Sequence, residues 1–180
     1  MKKGKRYNIV KRNIALSILL GMFLNSMSFA NSLIKTRDGS TARVITAPNG
    51  TPMIELANPN GNRISVNDFE RLNVDEKNLI LNNISSKEGA GYRSELGGII
   101  APNENYTGNP ARAILLRVHK DPSVINGFIE AASTGKVDMF FSNPNGIYLN
   151  GGLVGRFGNV TFTTGHVSDD LMTVMVRDGR

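Results

Sequence analysis

Few side chains in this 180-residue chain could carry chemistry, and their spacing argues against most of it. There is no cysteine, which excludes disulfides, thiolate nucleophiles and thiolate metal sites. The two histidines are His119 and His166. His119 lies among Arg117, Lys120 and Asp121 and reads as a solvated turn. His166 follows Thr163-Thr164-Gly165, where a hydroxyl–imidazole pair is conceivable but a threonine strand ending in a turn is the simpler account. The carboxylate pairs Asp75-Glu76 and Asp169-Asp170 suggest the acid–base work of polysaccharide cleavage. Adjacent residues on a strand point to opposite faces, however, so neither pair converges on one bond. No acidic loop has calcium-binding spacing. Gly97-Gly98 and Gly151-Gly152 precede no helical pattern of the kind a phosphate loop needs. The expectation is a non-enzymatic chain with no cofactor and no metal.

The most distinctive spacing belongs to asparagine. Asn58-Pro59-Asn60-Gly61 and Asn143-Pro144-Asn145-Gly146 repeat one tetrapeptide, and each leads into a short apolar run ending in Asn. Proline presets φ for a turn and biases the residue before it toward extended backbone. Asn and Gly then tolerate positive φ. A strand–turn unit used twice points to a repetitive β architecture. A tight polar turn of this kind is expected at the surface.

The elements that must position these turns are short β-favourable runs. They fall at residues 43–46, 53–56, 64–66, 79–81, 99–101, 113–118, 128–132, 137–141, 147–149, 160–164 and 173–176. Gly-, Asn-, Pro- or Asp-rich turns recur about every ten residues, the spacing of a sandwich, barrel or β-helix. The paired turns favour a solenoid. Val137, Met139 and Phe141 should face inward, alternating with Asp138 and Phe140. Asn67, Asn82, Asn126 and Asn150 are candidates for asparagine stacking between rungs. Residues 68–77 could form a brief helical turn with Asp68 as N-cap. Residues 85–95 read as an exposed polar loop.

The first thirty residues carry a different message. Six basic residues precede an apolar run at 14–24, and Ser28-Phe29-Ala30 follows. That order is a secretory signal cleaved after Ala30. The leader holds six of the 21 basic residues and none of the 15 acids. The mature chain is therefore formally neutral, its basic residues are dispersed singly, and no nucleic-acid partner is expected.

Taken in order, these blocks resemble the two-partner-secretion domain of large Gram-negative exoproteins. They begin with Asn60-Gly61, residues 64–74 and Leu79-Ile80-Leu81-Asn82-Asn83, then Leu96-Gly97-Gly98-Ile99-Ile100-Ala101. Residues 111–118 and 126–132 follow, then Asn143-Pro144-Asn145-Gly146-Ile147 with Asn150-Gly151-Gly152, and finally residues 160–165. The family includes filamentous haemagglutinin-type adhesins and contact-dependent inhibition toxins, and the match runs over roughly residues 32–165.

The resemblance implies an all-β fold, a right-handed parallel β-helix of the single-stranded pectin-lyase-like kind with an N-terminal β cap, over residues 31–180. It implies a secretion address handed on by the Sec machinery and signal peptidase. An outer-membrane β-barrel transporter would then recognise it through its periplasmic domains while the chain is unfolded or partly folded. The product would be secreted or held at the cell surface, where host or bacterial receptors could meet it. Recognition would fall on Asn143, Pro144, Asn145, Gly146 and Ile147. A second family motif, Asn-Pro-Asn-Leu, corresponds to Asn103-Glu104-Asn105-Tyr106. Glu104 and Tyr106 depart from it, so this turn loses its proline restraint and keeps Asn103 and Asn105. The chain stops just after Asp178-Gly179, from which a domain truncated at its C-terminal end is expected. Two other readings stay open: a carbohydrate-active β-helix enzyme, and a nonfunctional remnant of a larger adhesin or contact-dependent toxin.

Overall fold

The computed structural model describes residues 33–178. The leader expected at residues 1–30 and the Gly179-Arg180 end lie outside the described residues.

The chain winds through three sheet faces in a fixed order. The first five strands are β1 (Ile34–Thr36), β2 (Arg43–Thr46), β3 (Pro52–Glu55), β4 (Ile64–Leu72) and β5 (Leu79–Asn82). A 3-10 turn at Ser86–Glu88 leads into β6 (Tyr92–Ser94) and β7 (Gly98–Ile100). Then come β8 (Ala113–Val118), β9 (Ser123–Ile125), β10 (Phe128–Ala132), β11 (Val137–Ser142), β12 (Ile147–Leu149), β13 (Gly152–Gly155) and β14 (Phe157–Thr163). A helix, α1 (Asp169–Asp178), ends the described chain. One sheet has the order β1-β4-β8-β11-β14, a second β13-β10-β5-β3-β2, and a third pairs β12 with β9. The parallel bridge Val74↔Ile125 extends the third face into the first turn of the coil.

The parallel registers define the repeat. Ile114 pairs with Met139, Ser123 with Ile147 and Ile129 with Leu153, so each residue lies beside its equivalent one rung later. This is the parallel β-helix expected from the sequence. Its N-terminal edges are closed by antiparallel pairing, β1 on β4 and β2 on β3. That is the expected β cap, and it protects strand edges that would otherwise template aggregation.

The interior is stacked in rows, as the alternation in β11 predicts. Val137, Met139 and Phe141 are fully buried in the main core with Ile114, Leu116, Leu81 and Ile129. Phe141 stacks on Phe162 of the next rung with ring centroids 5.6 Å apart. Two outward apolar patches are also covered. Met53, Ile80 and Ala132 lie under Ile100, Tyr92 and Leu96 of the β6–β7 hairpin. Ile64, Ala113, Leu115 and Phe140 lie under Val167 and Met172, with Met175 and Val176 alongside.

Three local expectations are corrected. Residues 173–176, expected as a strand, lie inside α1. Met172, Met175 and Val176 sit at i, i+3 and i+4, the helical stripe that fits the patch around Phe140. Residues 68–72, expected as a brief helix, continue β4, paired on both sides by β1 and β8. A bulge in the β1–β4 register lets Phe69 and Leu72, three apart, both turn inward. Residues 85–95 contain a capping box on Ser85 and Glu88 and then strand β6, with Ser94 buried.

Candidate recognition turns

The Asn143 turn is built from the inside. Its peptide N–H donates to Thr163 O (3.0 Å), and Gly146 N–H closes the turn onto Asn143 O (3.1 Å). Asn143 Oδ1 accepts from Asn145 N–H (2.9 Å) and from Asn145 Nδ2 (3.1 Å). Asn143 Nδ2 reaches the preceding rung, donating to Asp121 O and Ser123 Oγ, each at 2.9 Å. The Asn143 side chain is completely buried. Pro144 and Asn145 are exposed, and Gly146 and Ile147 are half-buried.

The divergent turn repeats this arrangement without proline. Tyr106 N–H donates to Asn103 O (3.1 Å), and Asn103 Oδ1 accepts from Asn105 N–H (2.9 Å). Asn103 Nδ2 donates to Leu56 O (3.0 Å) and Asn82 O (2.9 Å). Asn105 Nδ2 lies 3.1 Å from each of Thr41 O, Glu55 O and Leu56 O. Glu104, standing where proline was expected, uses the N–H that proline lacks to donate to Glu55 Oε2 at 2.7 Å. Tyr106 is buried, and its hydroxyl donates to Asn83 Oδ1 (2.8 Å), which also accepts Ala111 N–H. Burial pushes the Tyr106 phenol far above its ordinary range.

The expectation that an Asn-Pro-Asn-Gly turn lies at the surface is therefore corrected for the Asn143 side chain, and Asn103 and Tyr106 of the divergent turn are buried as well. Each is a hydrogen-bonded pin inside the fold, because a buried polar group must be paired. The geometric partner of the Asn143 turn is the Asn103 turn. In Asn58-Pro59-Asn60-Gly61, by contrast, Asn58 is exposed and the side-chain turn is made by Asn60, whose Oδ1 accepts from Asn62 N–H and Ile64 N–H.

Stacked asparagines are found at one expected pair, Asn150 Nδ2 donating to Asn126 Oδ1 at 3.0 Å. Asn67 and Asn82 are buried instead. Asn67 binds Ala57 N–H, Ser65 and Leu115 O, and Asn82 donates to Glu55 Oε1 and Ala101 O.

Sequence reasoning missed the buried partners of these turns. Glu55 is 2% exposed inside β3, and burial raises its carboxyl above the usual value despite the hydrogen bonds from Asn82 and Glu104 N–H. Glu130, fully buried in β10, accepts from Ser94 Oγ, Glu95 N–H and Leu96 N–H and so holds the hairpin turn. The signal was present: a lone glutamate in an otherwise apolar strand needs a local partner.

Of the two histidines, His166 is exposed just past the turn that ends the threonine strand, as expected, whereas His119 departs from expectation. His119 is half-buried rather than in a solvated turn, with Nε2 2.7 Å from Asp68 Oδ1 and Nδ1 2.9 Å from Arg37 Nη1. Arg117 holds Asp68 through Nε and Nη2 and reaches Asp169 through Nη1 (2.6 Å). Burial alone would raise the Asp68 carboxyl, but Arg117 and His119 together hold it below its usual value. The cluster ties the start of α1 to β4 and β8. It does not contain the Asp75-Glu76 pair, where Asp75 Oδ1 accepts Lys77 N–H within its own turn.

The fold and its turns thus define a capped parallel β-helix whose rung corners are pinned by buried asparagines. The family described as the TPS secretion domain matches residues 31–175, and the chain belongs to it. The crystal structure of the filamentous hemagglutinin secretion domain superposes with a TM-score of 0.64 at 30% identity, covering 75% of this chain and 43% of that one. Filamentous hemagglutinin of Bordetella pertussis is 35% identical over 127 residues, 70% of this chain and 3% of that protein. The tRNA nuclease CdiA of Yersinia mollaretii is 35% identical over 133 residues, 73% of this chain and 4% of that protein. The chain thus spans only a few per cent of the curated relatives it matches.

Proposed function

We propose that this chain is the secretion address of a two-partner exoprotein, read in the periplasm by the periplasmic domains of a dedicated outer-membrane β-barrel transporter. Residues 1–30 act as a Sec signal removed by signal peptidase, and the domain itself performs no catalysis. The product is secreted or held at the cell surface. The recognition elements are Asn143, Pro144, Asn145, Gly146 and Ile147, with Asn103, Asn105 and Tyr106 as the divergent second site.

One observation carries this reading. The leading asparagine of each motif is consumed by the folded domain: Asn143 by Asp121 and Ser123, Asn103 by Leu56 and Asn82. A transporter that reads them must do so before the rungs close. The same asparagines then become the pins that hold successive rungs once the chain has emerged. This division of labour in time suits a barrel that passes an unfolded chain.

Export with the transporter co-expressed tests the assignment. Asn143→Ala combined with Asn145→Ala should abolish appearance of the domain outside the cell, with precursor accumulating in the periplasm. Undiminished export of a correctly folded double variant would show that these residues are not the address.

A further inference from the structure

Asparagine followed by glycine is chemically labile, and this chain has five such pairs, beginning at Asn49, Asn60, Asn126, Asn145 and Asn150. The glycine nitrogen attacks the side-chain carbonyl carbon, forming a C–N bond that closes a five-membered succinimide. The Cγ–Nδ2 bond breaks, and ammonia leaves with the proton given up by the glycine nitrogen. Water then opens the ring to aspartate or isoaspartate, so no co-reactant beyond water is needed. The step requires a glycine N–H free to lose its proton and an Nδ2 free to depart.

The fold withholds these conditions from four of the pairs. Gly50 N–H donates to Ala47 O (2.8 Å), Gly127 to Val74 O (3.3 Å), Gly146 to Asn143 O (3.1 Å) and Gly151 to Ile125 O (2.8 Å). Three of the departing amides are also held, Asn49 by Leu96 O, Asn145 by Asn143 Oδ1 and Asn150 by Asn126 Oδ1.

Asn60-Gly61 is the exception. Both residues are exposed, and among the described residues neither Gly61 N–H nor Asn60 Nδ2 donates a hydrogen bond. Asn60 Oδ1, meanwhile, accepts from Asn62 N–H and Ile64 N–H, each at 3.0 Å. Two donors on the carbonyl oxygen polarise the carbon under attack and stabilise the oxyanion that forms there. We propose that Asn60 is a spontaneous deamidation site of the folded domain, and that folding shelters the other four pairs, Asn145 included. Isoaspartate at Asn60 would lengthen the main chain inside the corner closed by Asn60 N–H to Ile64 O and Arg63 N–H to Asn60 O, at the start of β4.

The test is incubation of the folded domain in ¹⁸O-labelled water at mildly alkaline pH, followed by peptide mapping, beside a sample unfolded in urea. Label in the folded sample should be confined to the peptide containing Asn60, while the urea sample takes it up at all five sites. Gly61→Ala, where an added methyl meets no atom within 4 Å, should keep the fold and lose that label. Labelling of Asn145 as fast as Asn60 in the folded sample would overturn the proposal. So would an unlabelled Asn60 in the folded sample when the urea sample labels it.

Discussion

Asn103 and Asn143 occupy equivalent places in their turns: each Oδ1 receives the backbone N–H two residues on at 2.9 Å, and each Nδ2 is spent on neighbouring strands. Their reach differs. Asn143 binds Asp121 and Ser123, 22 and 20 residues back, whereas Asn103 binds Asn82, 21 residues back, and also Leu56, 47 residues back just after β3. Replacing either by Ala strands buried carbonyls, at about 1–3 kcal/mol. Urea unfolding should place Asn103→Ala and Asn143→Ala well below the wild type. Asn145→Ala, exposed in the same turn, should lose less than either.

Tyr106→Phe keeps the buried ring and removes one donor from Asn83 Oδ1, which retains Ala111 N–H. The loss should be roughly 0.5–1.5 kcal/mol, with the denaturant slope unchanged. A near-zero effect would mean that the hydroxyl is not paired in solution.

Two carboxylates should give opposite pH signatures. Asp68 is held below its ordinary value of 3.8, so its contribution is present above that value and is lost as pH falls through the lower folded value. Glu55 is raised above 4.5, so the folded state binds its proton more tightly and stability is lost as pH rises through the raised value. Glu55→Gln should remove this pH dependence, while setting its amide NH2 against one of the two donors that Glu55 accepts, Asn82 Nδ2 or Glu104 N–H, so that the variant is less stable at acid pH. Asp68→Asn should flatten the acid limb. Thermal midpoints across pH 3 to 8 check both signs.

Close stacking makes two glycines irreplaceable. A Cβ on Gly127 would collide with Asp75 O, and one on Gly151 with Gly127 O, whereas Gly135 has open space. Gly127→Ala and Gly151→Ala should each cost about 1–3 kcal/mol or more. Gly135→Ala should change the unfolding midpoint little.

Met172 is fully buried against the patch that contains Phe140. Met172→Asp should release α1, read as faster proteolysis within residues 169–178, while the amides of β8 and β11 keep their hydrogen-exchange protection. Loss of protection in both strands would show that the helix is integral to the rungs.

Much of the solenoid was legible because its strands are apolar runs bounded by turn residues. Residues 43–46, 113–118, 128–132 and 147–149 are strands with the bounds expected. The strands at Ile34–Thr36, Tyr92–Ser94, Ser123–Ile125 and Gly152–Gly155 were not read, since each is short and contains polar or glycine residues that only a neighbouring rung makes sense of. The helix at residues 169–178 was hidden for a related reason. Thr, Val and Met suit a strand locally, and only the outward patch formed by Leu115 and Phe140 on separate strands selects a helix. The turn positions were legible from Asn and Pro. Their burial was not, because Asp121, Ser123, Leu56 and Asn82 are brought to them by rung stacking.

The central claim is that the motif is read before it is buried, and binding to the transporter's isolated periplasmic domains tests it most directly. Ile129→Asp places a charge in the fully buried interior, away from both turns, and should keep the chain unfolded. That chain should bind the periplasmic domains, the folded wild-type domain should bind far more weakly, and adding Asn143→Ala and Asn145→Ala to the unfolded chain should remove the binding. Equal binding by folded and unfolded chains, or binding indifferent to those two asparagines, would contradict the account.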